Sequence, residues 1–227
     1  MGSNHLDSST WLNNHLLCLY RVLCFITIFS ITIYHCIADE DPTLIYFTNW
    51  GIYFTCATYT LFFIHSIRQY IWIKSEDELR AEKLNLYSSW VLWKWAVFLY
   101  ETSLSFEVII TLFFWGVLFD PDDNDVWDYV DHILPIAILV LDYAINRVPF
   151  IFRHLAVSII IMFIYGLVNL IYTLSTGTPV YPPLNFKDAL SYVWLLVLAF
   201  LECATYYGLT VLTRWKIGKI INSERYK

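Results

Sequence analysis

The sequence predicts an all-α, polytopic membrane protein: a bundle of six transmembrane helices with both termini on the cytoplasmic or topologically equivalent side. Of its 227 residues, 58% are hydrophobic and only 15% are charged, whereas an ordinary soluble domain has about 25% charged residues. The apolar residues also lie in runs of the length that crosses a bilayer as a helix, about 20 residues. A net charge of −6 provides no basic surface for nucleic acid, which excludes that class of partner.

Six apolar runs meet the length requirement, and none shows the alternation typical of a membrane β-barrel. The runs cover approximately residues 16–37, 44–67, 91–119, 130–149, 153–175 and 188–213. We therefore expect three segments along the chain. They are a polar N-terminal segment at 1–15, one six-helix transmembrane domain at 16–215 and a basic C-terminal tail at 216–227.

Lysine and arginine placement predicts the orientation of the bundle, because basic residues favour cytoplasmic loops. Of the 14 basic residues, all but Arg21 and Lys187 lie at the connection between runs 2 and 3, the connection between runs 4 and 5, or the C-terminal tail. The opposite connections are acidic. Both termini are therefore predicted on the cytoplasmic side. The pattern fits the endoplasmic reticulum, the plasma membrane or the mitochondrial inner membrane equally.

No metal site is predicted from the acidic or cysteine residues. The acidic stretch 120–125 (DPDDND) lacks the glycine turn and the distal glutamate of a calcium loop. The five cysteines form no C-x-x-C pair and lie in or beside apolar runs, so neither a zinc site nor a disulfide framework is expected.

A layer of polar side chains is predicted just below the outer surface of the bundle. At about 1.5 Å per helical residue, Thr48 and Asn49 lie near the outer end of run 2, at the depth of His132 in run 4 and His35 in run 1. Threonine is a candidate nucleophile and histidine a candidate general base, a combination suited to cleaving an acyl ester. The alternative is that Thr48 bonds its own backbone and the histidines are simply hydrated at the interface.

Two acidic residues inside apolar runs need an explanation, because ionisable groups in a bilayer are expensive. Glu107 in run 3 and Asp142 in run 4 both lie about 18 Å deep by residue count, so we expect an intramembrane acidic pair. Such a pair either fixes helix packing as a shared-proton hydrogen bond or lines a proton path or cavity floor. Glu101 and Glu202 pose the same question.

The histidines also allow a di-haem electron carrier as a third interpretation. His35 and His132 are predicted near the outer surface, and His65 and His154 near the inner one. Two histidines at each face of a six-helix bundle suit bis-histidine haem ligation.

Four stretches taken together resemble a known family of membrane proteins. They are YFTNWG (46–51), SFEVIITLFFWG (105–116), HILPIAILVLDYAINRVPF (132–150) and VYPPLNF (180–186). In order and spacing they are similar to the androgen-induced-gene family of six-span membrane proteins, most closely its rolling-stone-like branch. The resemblance implies an intramembrane threonine hydrolase of fatty acid esters of hydroxy fatty acids. It also implies that Thr48 and His132 hold the catalytic positions, with Asp142 ten residues after the histidine.

The leading hypothesis is therefore a lipid-ester hydrolase without a cofactor, with Asn49 or backbone N–H groups supporting the oxyanion. The rolling-stone-like branch is linked to cell fusion, and the TNWG form belongs to it. The alternative is accordingly a non-catalytic accessory subunit of a larger membrane-protein complex. Membrane lipids are partners under both hypotheses, and other membrane proteins are partners under the second.

Overall fold

In the computed structural model, residues 14–38, 43–72, 78–122 and 125–225 are described, and they are helical without a β-strand. The α-helices are α1 (Asn14–Ala38), α2 (Phe47–Trp72), α3 (Glu78–Phe113), α4 (Val126–Ile145), α5 (Leu155–Thr176) and α6 (Ala189–Arg225). Three short 3₁₀ turns connect them, at Thr43–Ile45, Phe152–His154 and Pro182–Leu184, and a π-helical turn, Phe114–Leu118, extends α3. The all-α prediction is confirmed.

Within the described residues, four helices are long and apolar enough to cross a membrane. The segments are His15–Ile37, Val91–Leu118, Phe152–Thr176 and Ala189–Gly218. The other two helices fall outside this set. Helix α2 is rich in threonine and tyrosine, and α4, although apolar elsewhere, carries Asp128, Asp131 and Asp142 within its 20 residues. Four such helices are compatible with an integral membrane protein.

Helix α3 is the centre of the bundle. It packs against α2, α4 and α6, and 67% of its apolar span is buried, against 17–28% in the other three spans. A helix whose polar residues are enclosed by neighbours can carry ionisable groups through an apolar environment. This position explains why Glu101 and Glu107 are both fully buried.

Three tyrosines fasten α1, α2 and α3 to one turn of α4. The Tyr20 and Tyr59 hydroxyls both donate to the Ile138 carbonyl oxygen, at 2.6 and 3.3 Å, and the Tyr100 hydroxyl donates to the Leu139 carbonyl oxygen at 3.4 Å. In an apolar core each tyrosine hydroxyl needs such a partner. These bonds hold α4, and with it His132, in register with the rest of the bundle.

Glu101 and Glu202 have structural partners that answer the question raised by their position. Glu101 accepts hydrogen bonds from the Ile151 backbone N–H at 2.6 Å and from the Tyr206 hydroxyl at 2.8 Å. Its carboxyl group also lies 2.5 Å from Nδ1 of His154. The Glu202 carboxyl accepts from the hydroxyls of Ser105 at 3.0 Å and of Ser158. Each carboxyl joins segments distant in sequence, as buried polar groups with satisfied hydrogen bonds do.

The ends of α5 and α6 follow from local sequence features. The segment predicted as a C-terminal tail, 216–227, continues α6 as far as Arg225, because the basic residues here are good helix formers. Helix α5 ends where Gly177 adopts φ +77°, the left-handed conformation that glycine tolerates. The predicted polar N-terminal segment lies outside the described residues as far as position 13, as do positions 226–227.

The close approach of α2 to α3 at Gly51 leads to a prediction. A Cβ atom there would lie 2.5 Å from Cδ1 of Ile110 and 2.6 Å from Oε1 of Glu107, both of which are buried. We expect Gly51→Ala to lower the free energy of unfolding by about 1–3 kcal/mol, measured by thermal unfolding in detergent. Gly208→Ala is the control, because nothing lies within 4 Å of a Cβ there. Equal stability of the two variants would contradict the prediction.

Candidate functional site

The first turn of α2 presents Thr48 and Asn49. A short 3₁₀ turn ends at Ile45, and α2 begins at Phe47, so both polar side chains lie at the helix N-terminus. The Phe47 backbone N–H donates to the Tyr181 hydroxyl oxygen at 2.9 Å. Tyr181 thus holds the turn that carries Thr48.

Tyr181 lies in the connection between α5 and α6, and its hydroxyl group contacts the start of α2. Burial raises the pKa of its phenol above the usual range, so the hydroxyl stays neutral at physiological pH and keeps its donor and acceptor capacity. Next to it, the Tyr165 hydroxyl donates to the Ile45 carbonyl oxygen at 2.9 Å. The two tyrosines from the other side of the bundle therefore fix the start of α2.

His132 lies in the second turn of α4 and is 7% exposed. Its ring stacks on the Phe114 ring, with centroids 3.6 Å apart and an interplanar angle of 11°. The Thr111 hydroxyl donates to the His132 carbonyl oxygen at 3.1 Å, which fixes the backbone. In the described part of the chain, Nδ1 of His132 has no hydrogen-bond partner.

The helix that carries His132 begins with a capping box. The Asp125 side chain accepts from the backbone N–H groups of Trp127 and Asp128, and the Asp128 side chain accepts from the Asp125 N–H. This reciprocal arrangement satisfies amides that a helix start leaves without partners. Two acids at the start of α4 therefore set where this helix begins.

One cavity of about 410 Å³ connects these elements, and its lining includes Thr48, Asn49 and His132. The three residues that the sequence predicts as a site thus surround the same space. Among the described residues, no hydrogen bond joins the Thr48 hydroxyl to the His132 ring. Pockets of this size accept small molecules or part of a lipid.

Sequence reasoning missed part of the cavity wall. Asp131 was missed, whereas His35 was placed by the depth argument in the same layer as Thr48, and both line the cavity. Nε2 of His35 lies 3.0 Å from Oδ2 of Asp131. Tyr181 and Phe114 were also missed as site residues. Tyr181 belongs to the VYPPLNF stretch, and Asp131 directly precedes His132, so both signals were present in the sequence.

The predicted acidic pair is not brought together. Oδ1 of Asp142 lies 3.6 Å from a guanidinium nitrogen of Arg21, whereas Oε1 of Glu107 accepts from the Thr55 hydroxyl at 3.4 Å. The Thr111–His132 hydrogen bond sets the antiparallel register of α3 and α4. That register leaves Glu107 and Asp142 six residues out of step, about 9 Å along the helix axis. Residue counting failed because α4 begins at Val126, four residues before the start predicted for run 4, so Asp142 lies farther along its helix than the count assumed.

The structure describes the surroundings of the residues considered above for metal and haem ligation. Within them, no group of three or more histidine, cysteine, aspartate or glutamate side chains is arranged to hold a metal ion. The five cysteines are free thiols. Of the histidines in the di-haem hypothesis, His35 and His154 contact carboxylates.

The chain matches no protein-family model, no curated protein and no solved structure.

Proposed function

We propose that the chain is a six-span intramembrane hydrolase of lipid esters, with Thr48 as nucleophile and His132 as general base. The observation that carries the proposal is the single cavity lined by Thr48, Asn49 and His132. It lies at the end of the bundle where α2 begins and the acidic loop 119–125 is located. With both termini cytoplasmic, this end faces the outer leaflet.

The chemistry uses groups already on the cavity wall. The Thr48 hydroxyl oxygen attacks the ester carbonyl carbon, and its proton passes to the His132 ring. As the tetrahedral intermediate collapses, the carbon–oxygen bond to the alcohol breaks and His132 returns the proton to the leaving alcohol. Water then attacks the acyl-threonine, with His132 again as base, and releases the fatty acid.

Three features favour this assignment over a purely structural one. The Tyr181 phenol accepts from the Phe47 backbone N–H and so holds the turn that carries Thr48, and Phe114 fixes the His132 ring by stacking. Asn49 is 4% exposed and lines the same cavity, where its amide and the positive end of α2 would stabilise the oxyanion. The resemblance to the androgen-induced-gene family names the substrate class, fatty acid esters of hydroxy fatty acids.

A covalent probe tests the proposal directly. A long-chain alkyl fluorophosphonate should react with the purified protein, because the Thr48 oxygen displaces fluoride from phosphorus while His132 takes the proton. We expect mass spectrometry to locate the alkyl phosphonate on Thr48 and His132→Gln to slow labelling by about 10²-fold or more.

Thr60→Ala is the matched control, because Thr60 lies on the same helix and its hydroxyl donates to the Cys56 carbonyl oxygen at 2.7 Å. Labelling should persist in this variant and vanish in Thr48→Ala. A protein that folds but does not react, or that reacts elsewhere, would sink the hydrolase proposal and favour the accessory-subunit hypothesis.

A further inference from the structure

A second cavity, the α5–α6 slot, lies beside the first and has no part in the chemistry above. Its volume is about 280 Å³. It shares four wall residues with the catalytic cavity: Phe47, Tyr165, Leu184 and Leu198. Because the same side chains form a wall of both, the two spaces are adjacent compartments of one site, and both lie within or near the size range of small-molecule pockets.

The slot is apolar and extends to the surface that faces lipid. Apart from Tyr165, Asn169 and Tyr192, its wall residues are apolar. Some wall side chains are largely exposed, Phe163 by 64% and Tyr192 by 55%. Helices α5 and α6 are also the least buried of the candidate spans, at 17% each. The slot therefore extends from the bilayer side of these two helices toward the space beside Thr48.

The slot wall carries one buried polar side chain, next to the four residues shared with the first cavity. Asn169 is 0% exposed and lies on the slot wall. Its Nδ2 donates to the Tyr165 hydroxyl at 3.2 Å, which is consistent with Tyr165 donating onward to Ile45. Oδ1 of Asn169 then has no partner in the described residues. A hydrocarbon chain has no donor for this oxygen, so its hydrogen bond would come from water at the polar end of the slot.

A glycine keeps the slot open from the α5 side. Gly166 lines it, and a Cβ atom built there meets nothing within 4 Å. Any larger residue at this position would project into free space inside the slot. Ala199 lines the α6 side of the slot, so both helices present small residues to it.

We propose that the α5–α6 slot is the lateral access path and binding site for one hydrocarbon chain of the substrate. The chain enters sideways from the bilayer, lies between α5 and α6, and brings its ester group into the cavity of Thr48 and His132. This inference rests on the proposed function for the identity of the reacting group. The binding of the chain itself does not require catalysis.

Photo-crosslinking of the full chain in lipid nanodiscs tests the slot. The probe is palmitic acid with a diazirine in mid-chain, with and without excess unlabelled palmitic acid. We expect crosslinks that palmitic acid competes away, located on slot residues of α5 and α6. Gly166→Leu should reduce this competable labelling about tenfold, because its side chain fills the slot.

Gly208→Leu is the matched control, since nothing lies within 4 Å of a Cβ at Gly208 and this residue lines neither cavity. Ala199→Leu blocks the slot from the opposite helix, and circular dichroism verifies that each variant is folded. Labelling that palmitic acid does not displace, or that both blocking variants retain, overturns the slot. Thr48→Ala should label normally, so competable labelling in a protein without hydrolase activity supports the slot and counts only against the proposed catalysis.

Discussion

Replacing Thr48 with alanine is expected to lower kcat for lipid-ester hydrolysis by at least about 10³-fold. The substitution removes the atom proposed to form the acyl-enzyme bond and leaves the remaining cavity wall in place. Because Tyr181 accepts from the Phe47 backbone N–H, the start of α2 should keep its position without the threonine hydroxyl. The measurement is fatty acid release from a synthetic ester of a hydroxy fatty acid by purified protein in detergent.

Two companion variants separate chemistry from structure. Thr48→Ser keeps a hydroxyl nucleophile and should stay within about tenfold of the parent. His132→Gln should lower kcat by about 10²–10⁴-fold, the usual contribution of a general base. A Thr48→Ala protein that is as active as the parent would show that another group reacts, and the assignment of Thr48 would be abandoned.

Replacing Arg21 with methionine is expected to destabilise the fold by about 3–5 kcal/mol. Arg21 is 1% exposed and Asp142 is 0% exposed, and their closest charged atoms lie 3.6 Å apart. The guanidinium also lies over the Phe62 ring, 4.1 Å from its centroid. Without the arginine, a carboxyl group remains in the apolar core with its cation removed. Denaturant unfolding in micelles, followed by circular dichroism, measures the loss.

A second substitution distinguishes an unpaired charge from lost packing. Arg21→Met combined with Asp142→Leu removes both charges, and we expect it to recover most of the stability, since an apolar pair of similar volume replaces a buried ion pair well. The exposed Arg153 supplies the control, because Arg153→Met should change stability by less than about 0.5 kcal/mol. If the double variant were no more stable than Arg21→Met alone, the ion-pair argument would be wrong.

Much of the architecture could be predicted from the sequence because apolar runs and helix length follow directly from the physics of the bilayer. The depth argument placed Thr48, Asn49 and His132 in one layer, and all three line one cavity. Counting residues along a helix is accurate near the helix ends, where few residues separate a side chain from the surface.

The same counting failed farther inside. Glu107 and Asp142 were expected to meet, yet the register of α3 and α4 separates them and Asp142 pairs with Arg21 from α1. Partner choice in a bundle depends on which helices are neighbours and how each is rotated, and neither follows from hydropathy. Tyr181 was missed for a similar reason, since 133 residues separate it from Thr48 and only the fold brings them together.

The π-helical turn at Phe114–Leu118 makes the geometry of the candidate site sensitive to the length of the chain. Such a turn holds one residue more than the α-helix it interrupts, and it is often found at functional sites. Removing one residue from this turn would restore α-helical geometry and rotate the residues beyond it by about 100°. The direction in which the chain leaves α3 toward the loop and α4 would then change. A single-residue deletion here, which a sequence comparison would count as minor, should therefore separate the Phe114 ring from the His132 ring.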